Sequence, residues 1–209
     1  MSNAPLDPLD LYVLGWPRFG AGLQVISSLA ALARDARGAT FRNPDSGVPA
    51  EGGPSPSWLG TMGYLILLEQ IGEAVHRPGG PEAQDGIPRA IAHFSSDDLD
   101  AATIGGLIGL RNALAHDYGL VATSGDQARR HIFRLSGSGP LVRLPDQPWD
   151  RGWHAHPDLD ATHVNVFALA DVEAVIASVG TAWWANDLDT DLKGGRDELA
   201  ARFLFATVA

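Results

Sequence analysis

The spacing of apolar residues predicts amphipathic helices in the first half of the chain. Between residues 20 and 37, apolar side chains recur at steps of three and four, which predicts a helix that Gly38 ends. A second helix is predicted over 58–77, with Ser57 as its N-cap. Because this segment is apolar on most sides through Leu68, we expect it at the centre of a helical bundle.

Two further helices are predicted before residue 120. The first is short and covers 88–94, and the second covers 97–118 and ends before Gly119. The segments 38–57 and 78–88 are rich in proline and glycine and lack periodicity, so we expect long loops there.

The pattern changes beyond the last of these helices. Two short runs with strand character, 131–135 and 141–144, flank a Ser-Gly-Ser-Gly-Pro turn, which predicts a β-hairpin. Alternation predicts another strand over 163–167, and helices are predicted over 172–186 and 195–208. The expected fold class is therefore mainly α, an up-down helical bundle with a small β element after the fourth helix.

Length and composition limit the classes of protein. We expect one domain over 1–209, in which 20–120 form the helical core and 121–209 add the β element and closing helices. The absence of cysteine excludes disulfides, thiolate metal sites and cysteine nucleophiles. A net charge of −10 disfavours general coating of nucleic acid. No apolar run is long enough to span a bilayer and the first residues do not resemble a signal peptide, so we expect a cytoplasmic protein with no membrane partner.

The segment Gly-Leu-Arg-Asn-Ala-Leu-Ala-His-Asp-Tyr at 109–118 carries the most informative chemistry. Asn112 and His116 are four residues apart on a predicted helix, so Asn112 can hydrogen-bond His116 and fix its ring. Arg111 is long enough to curl toward the same point. A guanidinium matches phosphate oxygens and an imidazole moves protons near neutral pH, so this set suits phosphodiester chemistry without a metal.

The same residues also have a purely structural interpretation. Arg111 could pair with Asp100 or Asp117, while His116 stabilises the carboxyl end of the helix. Spacing alone favours this second interpretation, because an arginine and a histidine five residues apart occur by chance in many helices.

Two stretches together resemble a known family. Ile-Gly-Glu-Ala at 71–74 and the pattern G-x-R-N-x-x-x-H-x-Y at 109–118 resemble the HEPN superfamily, in particular the small bacterial toxins encoded beside a minimal nucleotidyltransferase antitoxin. The resemblance covers about residues 58–120. It implies a helical bundle that dimerises and brings two R-x4-H motifs into one cleft.

The resemblance also implies an activity, metal-independent cleavage of RNA by attack of a ribose 2′-hydroxyl on its own phosphate. Arg111 would stabilise the charge on phosphorus, His116 would act as general base or acid, and Asn112 would orient His116. Tyr118 matches the tyrosine that the antitoxin nucleotidylates in those pairs. Partners implied are RNA, a second copy of the chain and a nucleotidyltransferase antitoxin, with no cofactor and no metal.

Other interpretations stay open. Glu73 and Asp117 are auxiliary candidates for the same site. The acidity and the extra β element favour a second hypothesis, a non-catalytic HEPN-type module that binds a nucleotide or a partner protein. A metal-dependent hydrolase that uses His154 and His156 is the least favoured.

Glu69 and Glu73 have metal-like spacing with His76, but we favour a polar stripe that faces solvent or a dimer interface. The arginines between 126 and 151 give either an RNA-contacting strip or a solvated face.

Overall fold

A computed structural model describes residues 23–44, 46–51, 57–74, 86–94, 99–123, 130–136, 139–147, 149, 162–168, 198 and 201–208. Within them the chain forms the following helices and strands in order: β1 (Leu23–Ser27), α1 (Ser28–Ala39), α2 (Trp58–Ala74), α3 (Gly86–Phe94), α4 (Ala101–Asp117), β2 (Val121–Thr123), β3 (Arg130–Ser136), β4 (Val142–Arg143), β5 (Val164–Ala168) and β6 (Leu204–Val208). The predicted helix over 172–186 lies outside the described residues.

Helix α2 lies at the centre of the core, as its apolar composition predicts. Ser57 caps it, since the Ser57 hydroxyl accepts from the Gly60 amide at 3.2 Å. Its buried side chains include Tyr64, Leu65, Leu67 and Leu68. Helix α1 crosses one side of α2 at Gly63, where an added Cβ would lie 2.9 Å from the Ala36 methyl. Helix α3 crosses another side at Gly72, whose backbone meets that of Gly86 directly.

A four-stranded sheet in the order β2-β3-β5-β4 packs against α4. Strand β3 pairs antiparallel with β2 and parallel with β5, and β4 pairs antiparallel with β5. Phe133 and Phe167 are buried on the sheet face toward α4, and their rings are 5.8 Å apart. They approach α4 at Gly109 and Gly106 respectively, so the two glycines let the helix lie close to the sheet.

The prediction of a helix from residue 20 is wrong for its first part. Residues Leu23–Ser27 form β1, which pairs antiparallel with β6. The Ser27 hydroxyl accepts from the Ala30 amide at 3.3 Å and caps α1, so the helix begins after the β-branched pair Val25 and Ile26. The predicted helix over 195–208 is confirmed at the described residues 198 and 201–203, but it is wrong over Leu204–Val208, which form a strand.

The predicted β-hairpin is also wrong in its pairing. Both of its strands exist, as β3 and β4, but β5 lies between them in the sheet. Strand β5 matches the prediction of a strand over 163–167, whereas β2 was not predicted. Leu135 of β3 and Val142 of β4 both pair with Phe167 of β5. Strand β5, which is distant in sequence, therefore separates the two strands that the short turn suggested would pair with each other.

The fold is thus a set of packed helices with a small sheet on α4. One cluster of buried residues joins side chains from all four helices with Phe133 and Phe167 of the sheet. A smaller cluster on the other face of the sheet contains Ile132, Val164 and Trp149. Among the described residues, no helix is both long and apolar enough to cross a membrane.

Candidate functional site

Helix α4 is fixed at both ends by side-chain and backbone caps. At its start the Asp100 carboxylate accepts from the Thr103 amide at 2.7 Å, and this bond lowers the pKa of Asp100. At its end the Tyr118 amide donates to the Leu114 carbonyl at 3.1 Å, and the Gly119 amide donates to Ala113 at 3.0 Å. The residues of the 109–118 segment are therefore held on about the last two and a half turns of the helix and on its C-cap.

The solvent-facing side of α4 carries two of the predicted site residues. Asn112 and His116 are exposed, and Ala115 is exposed beside them. The opposite side is buried through Leu107, Leu110 and Leu114. Asn112 and His116 thus share an open surface, as their four-residue spacing predicts.

Arg111 lies at the edge of this surface and makes an ion pair with Glu69 of α2. Its Nε donates to Glu69 Oε2 at 2.9 Å, and its Nη2 lies 2.5 Å from both carboxylate oxygens. The Arg111 side chain is 25% exposed and that of Glu69 is 20% exposed. The structural partner of Arg111 is therefore Glu69, whereas Asp100 caps the helix. Glu69, which the sequence placed on a polar stripe facing solvent or a dimer interface, thus contacts a neighbouring helix of the same chain.

Asn112 orients Arg111 in this structure. Arg111 Nη1 donates to Asn112 Oδ1 at 2.8 Å. Neither the Asn112–His116 bond that the sequence suggested nor any other hydrogen bond of His116 is found among the described residues. His116 is therefore exposed on the same helix as the guanidinium that Glu69 and Asn112 orient.

Tyr118 has an unusual backbone conformation for its side chain. Its φ of 44° places it in the left-handed region, where glycine is favoured, and it forms the C-cap of α4 one residue before the predicted glycine. Its side chain is 60% exposed. The phenol is therefore accessible at the end of the helix that carries Arg111 and His116.

The Ile-Gly-Glu-Ala stretch has a structural role here. Ile71 and Ala74 are buried, and Gly72 allows the α2–α3 crossing. Glu73 faces α3, where one of its oxygens lies 3.7 Å from Arg89 Nη1. The structure thus pairs Glu73 with α3, and Glu69 is the acid that contacts Arg111. Asp117 is the last residue of α4.

Sequence reasoning missed a second histidine beside α4. His131 of β3 is half-buried, and its Cδ2 would lie 3.3 Å from a Cβ on Gly109. Its Nδ1 lies 2.9 Å from Nδ2 of Asn165, a fully buried residue of β5. Burial lowers the pKa of His131. Only the pairing of β3 with β5 brings these two residues together, and no local spacing indicates it.

The described residues contain no cluster of three or more metal-ligating side chains. His76, His154 and His156 lie outside these residues. Comparison of the chain with protein-family models, with curated proteins and with solved structures finds no match.

Proposed function

We propose that the chain is a metal-independent endoribonuclease of the HEPN type that uses Arg111, Asn112 and His116. The observation that carries this proposal is that one helix, α4, carries both a guanidinium held by Glu69 and Asn112 and an exposed imidazole. Glu69 and Asn112 hold three sides of the guanidinium, and Arg111 Nη1 keeps a second N–H that no described residue accepts. A phosphate oxygen at the open surface would take that donor.

The reaction needs only proton transfer and charge stabilisation. A ribose 2′-oxygen bonds to the adjacent phosphorus, and the bond from phosphorus to the 5′-oxygen breaks. His116 takes the proton from the 2′-hydroxyl or gives one to the leaving 5′-oxygen, and a second copy of the motif in a dimer supplies the other transfer. Arg111 stabilises the added negative charge on the phosphorane. The products are a 2′,3′-cyclic phosphate and a 5′-hydroxyl.

The same proposal includes control through Tyr118. An exposed phenol at the end of the motif helix is open to nucleotidylation by a partner enzyme, and the added phosphate would be attracted to Arg111. The partner in this scheme is a nucleotidyltransferase antitoxin, as the resemblance implies. Modification would block the α4 surface without altering the fold.

The direct test compares purified wild type with His116→Ala on a mixed pool of tRNA and mRNA in excess EDTA. We expect wild type to release fragments with 2′,3′-cyclic phosphate ends and His116→Ala to release none. His163→Ala is a matched control, because His163 lies in the turn before β5 and bonds Thr162 at 3.1 Å. Cleavage by His116→Ala at the wild-type rate would refute the assigned role.

A non-catalytic binding module is the second candidate. The observation that favours it is the ion pair itself, because Glu69 already neutralises the charge that Arg111 would offer to phosphate. In that case the wild type binds nucleotide or a partner protein at the α4 surface and releases no RNA fragments. An intact-mass spectrum of the same sample separates this result from a chain already modified on Tyr118.

A further inference from the structure

We propose that His131 is a second substrate-facing histidine of the α4 surface and that Asn165 is the positioning residue that holds it. This inference rests on the proposed function for the identity of the substrate, a single-stranded RNA phosphodiester. It adds a residue of the sheet to a site whose candidates in the sequence all lie on predicted helices.

His131 packs against the side of α4 that carries His116. The Cδ2–Nε2 edge of the ring faces Gly109, with distances of 3.3 and 4.0 Å to the place where a Cβ would be. Seven residues at ~100° each bring His116 within about 20° of Gly109 and about 10 Å further along the helix. Asn112 lies one turn from Gly109. The exposed surface is thus bounded by Arg111 on the α2 side and by His131 on the sheet side.

Asn165 fixes which ring nitrogen carries the proton. Its Nδ2 donates to the Ile132 carbonyl at 3.2 Å, which sets the orientation of the amide. The second N–H on the same nitrogen therefore points to His131 Nδ1, which must accept it. The proton of the neutral ring is then on Nε2, and among the described residues nothing accepts from that N–H.

The cost of this arrangement indicates a role beyond packing. Asn165 Oδ1 is buried and has no hydrogen-bond partner among the described residues. A buried amide with an unpaired oxygen is unfavourable, and an apolar residue at this position of β5 would avoid the penalty. What the amide supplies in exchange is a fixed imidazole whose Nε2–H lies beside Gly109 of α4. Such a donor suits a non-bridging phosphate oxygen and needs no charge.

Substitutions of His131 separate a hydrogen-bonding role from a packing role. Glutamine places an amide nitrogen near the position of Nε2, whereas asparagine reaches only as far as Nδ1. The probe is a short, fluorescein-labelled 2′-O-methyl oligonucleotide of mixed sequence, which cannot be cleaved because its 2′-oxygens are blocked. We expect His131→Asn to raise the Kd about 10-fold, which is about 1.4 kcal/mol, and His131→Gln to stay within about 3-fold of wild type. His93→Asn, a matched control at the end of α3, should leave the Kd unchanged.

The outcomes distinguish this inference from the proposed ribonuclease. Equal Kd values for His131→Asn and wild type overturn the role of His131, even where wild type cleaves RNA and His116→Ala does not. A His131-dependent Kd without cleavage, from a chain whose intact mass shows no modification of Tyr118, supports the role of His131 and refutes the ribonuclease. Failure of wild type to bind the probe overturns the inference.

Imidazole nitrogen NMR of the unsubstituted chain provides a measurement that does not depend on a variant folding. We expect the His131 signals of the free chain to show the Nε2–H form, and the Nε2 signal to shift when the probe is added. In Asn165→Ala the two ring forms should both be populated while the chain stays folded. A His131 signal that does not move at saturating probe overturns the inference.

Discussion

Among the glycines of the described residues, Gly72 leaves the least space for an added methyl group. Gly72→Ala is therefore the most severe test of the close crossing of α2 and α3. An added Cβ would overlap the Gly86 carbonyl oxygen and lie 2.5 Å from the Gly86 carbonyl carbon and 2.9 Å from the Ala90 nitrogen. Ordinary contacts of this kind begin near 3.4 Å. All three atoms belong to backbone, so no side chain can rotate away and α3 must withdraw by about 1.5–2 Å.

The size of the effect follows from three contributions. Overpacking against backbone costs about 3 kcal/mol, the upper end of the usual range. Withdrawal of α3 also stretches the hydrogen bond from Arg89 Nη1 to the Gly72 carbonyl, now 2.9 Å, at a cost of about 1 kcal/mol. Alanine is favoured over glycine inside a helix by about 1 kcal/mol. We therefore expect Gly72→Ala to lower the free energy of unfolding by about 3 kcal/mol.

Urea unfolding followed by circular dichroism measures this difference, with Gly105→Ala as the matched control. Gly105 lies in α4, is exposed, and has nothing within 4 Å of its Cβ position. The control should therefore gain up to about 1 kcal/mol from helix propensity alone. If Gly72→Ala is as stable as wild type while Gly105→Ala gains stability, the close crossing of α2 and α3 is refuted.

Three further predictions concern the α4 surface. A double-mutant cycle with Glu69→Ala and Arg111→Ala should give a coupling free energy of about 1 kcal/mol, because both side chains are partly exposed, and zero coupling would contradict the ion pair. Since burial lowers the pKa of His131 from the usual 6.5, the unfolded chain takes up this proton first as the pH falls. Wild type should therefore lose more stability than His131→Gln from about pH 6.5 downward through the folded pKa, and parallel pH profiles of unfolding would refute this. Tyr118→Gly should raise the free energy of unfolding by about 0.5–1 kcal/mol, because glycine adopts the left-handed C-cap without strain. A lower midpoint temperature of thermal unfolding for Tyr118→Gly than for wild type would contradict that conformation.

The helices were largely predictable because their signals are local. Ser57 caps α2 as expected, and the apolar character through Leu68 corresponds to a buried helix. The end of α4 was also predicted within two residues, although Tyr118 rather than Gly119 takes the left-handed conformation. Such features depend on residues within one or two turns of each other, which the sequence displays directly.

The strands were less predictable because their partners are distant in sequence. Ser27 is a valid N-cap, but the apolar spacing from Leu23 onward also fits a helix, and only pairing with β6 decides in favour of a strand. Similarly, the turn between β3 and β4 suggested a hairpin, while Phe167 offers a buried partner to both strands.

The site was predictable only as far as α4 carries it. The shared face of Asn112 and His116 follows from helix geometry. The contact between Arg111 and Glu69 depends instead on how α2 packs against α4, and the contact between His131 and Asn165 depends on strand order. Neither packing nor strand order is encoded in a short spacing, so neither contact could be found from the sequence.

The pairing of β1 with β6 has a consequence for the order of events during synthesis. Leu23 lies opposite Val208, so the first described strand has no partner until nearly all the described chain has left the ribosome. The helices can pack on one another through more local contacts long before that point. The pairing of β1 with β6, by contrast, closes a loop that contains all four helices, so it forms last. Chains released before Leu204 would expose Leu23–Ser27 as an unpaired edge, which can pair with the same edge of another chain. Interrupted translation is therefore expected to yield aggregation, which chaperone binding to nascent chains of graded length would reveal.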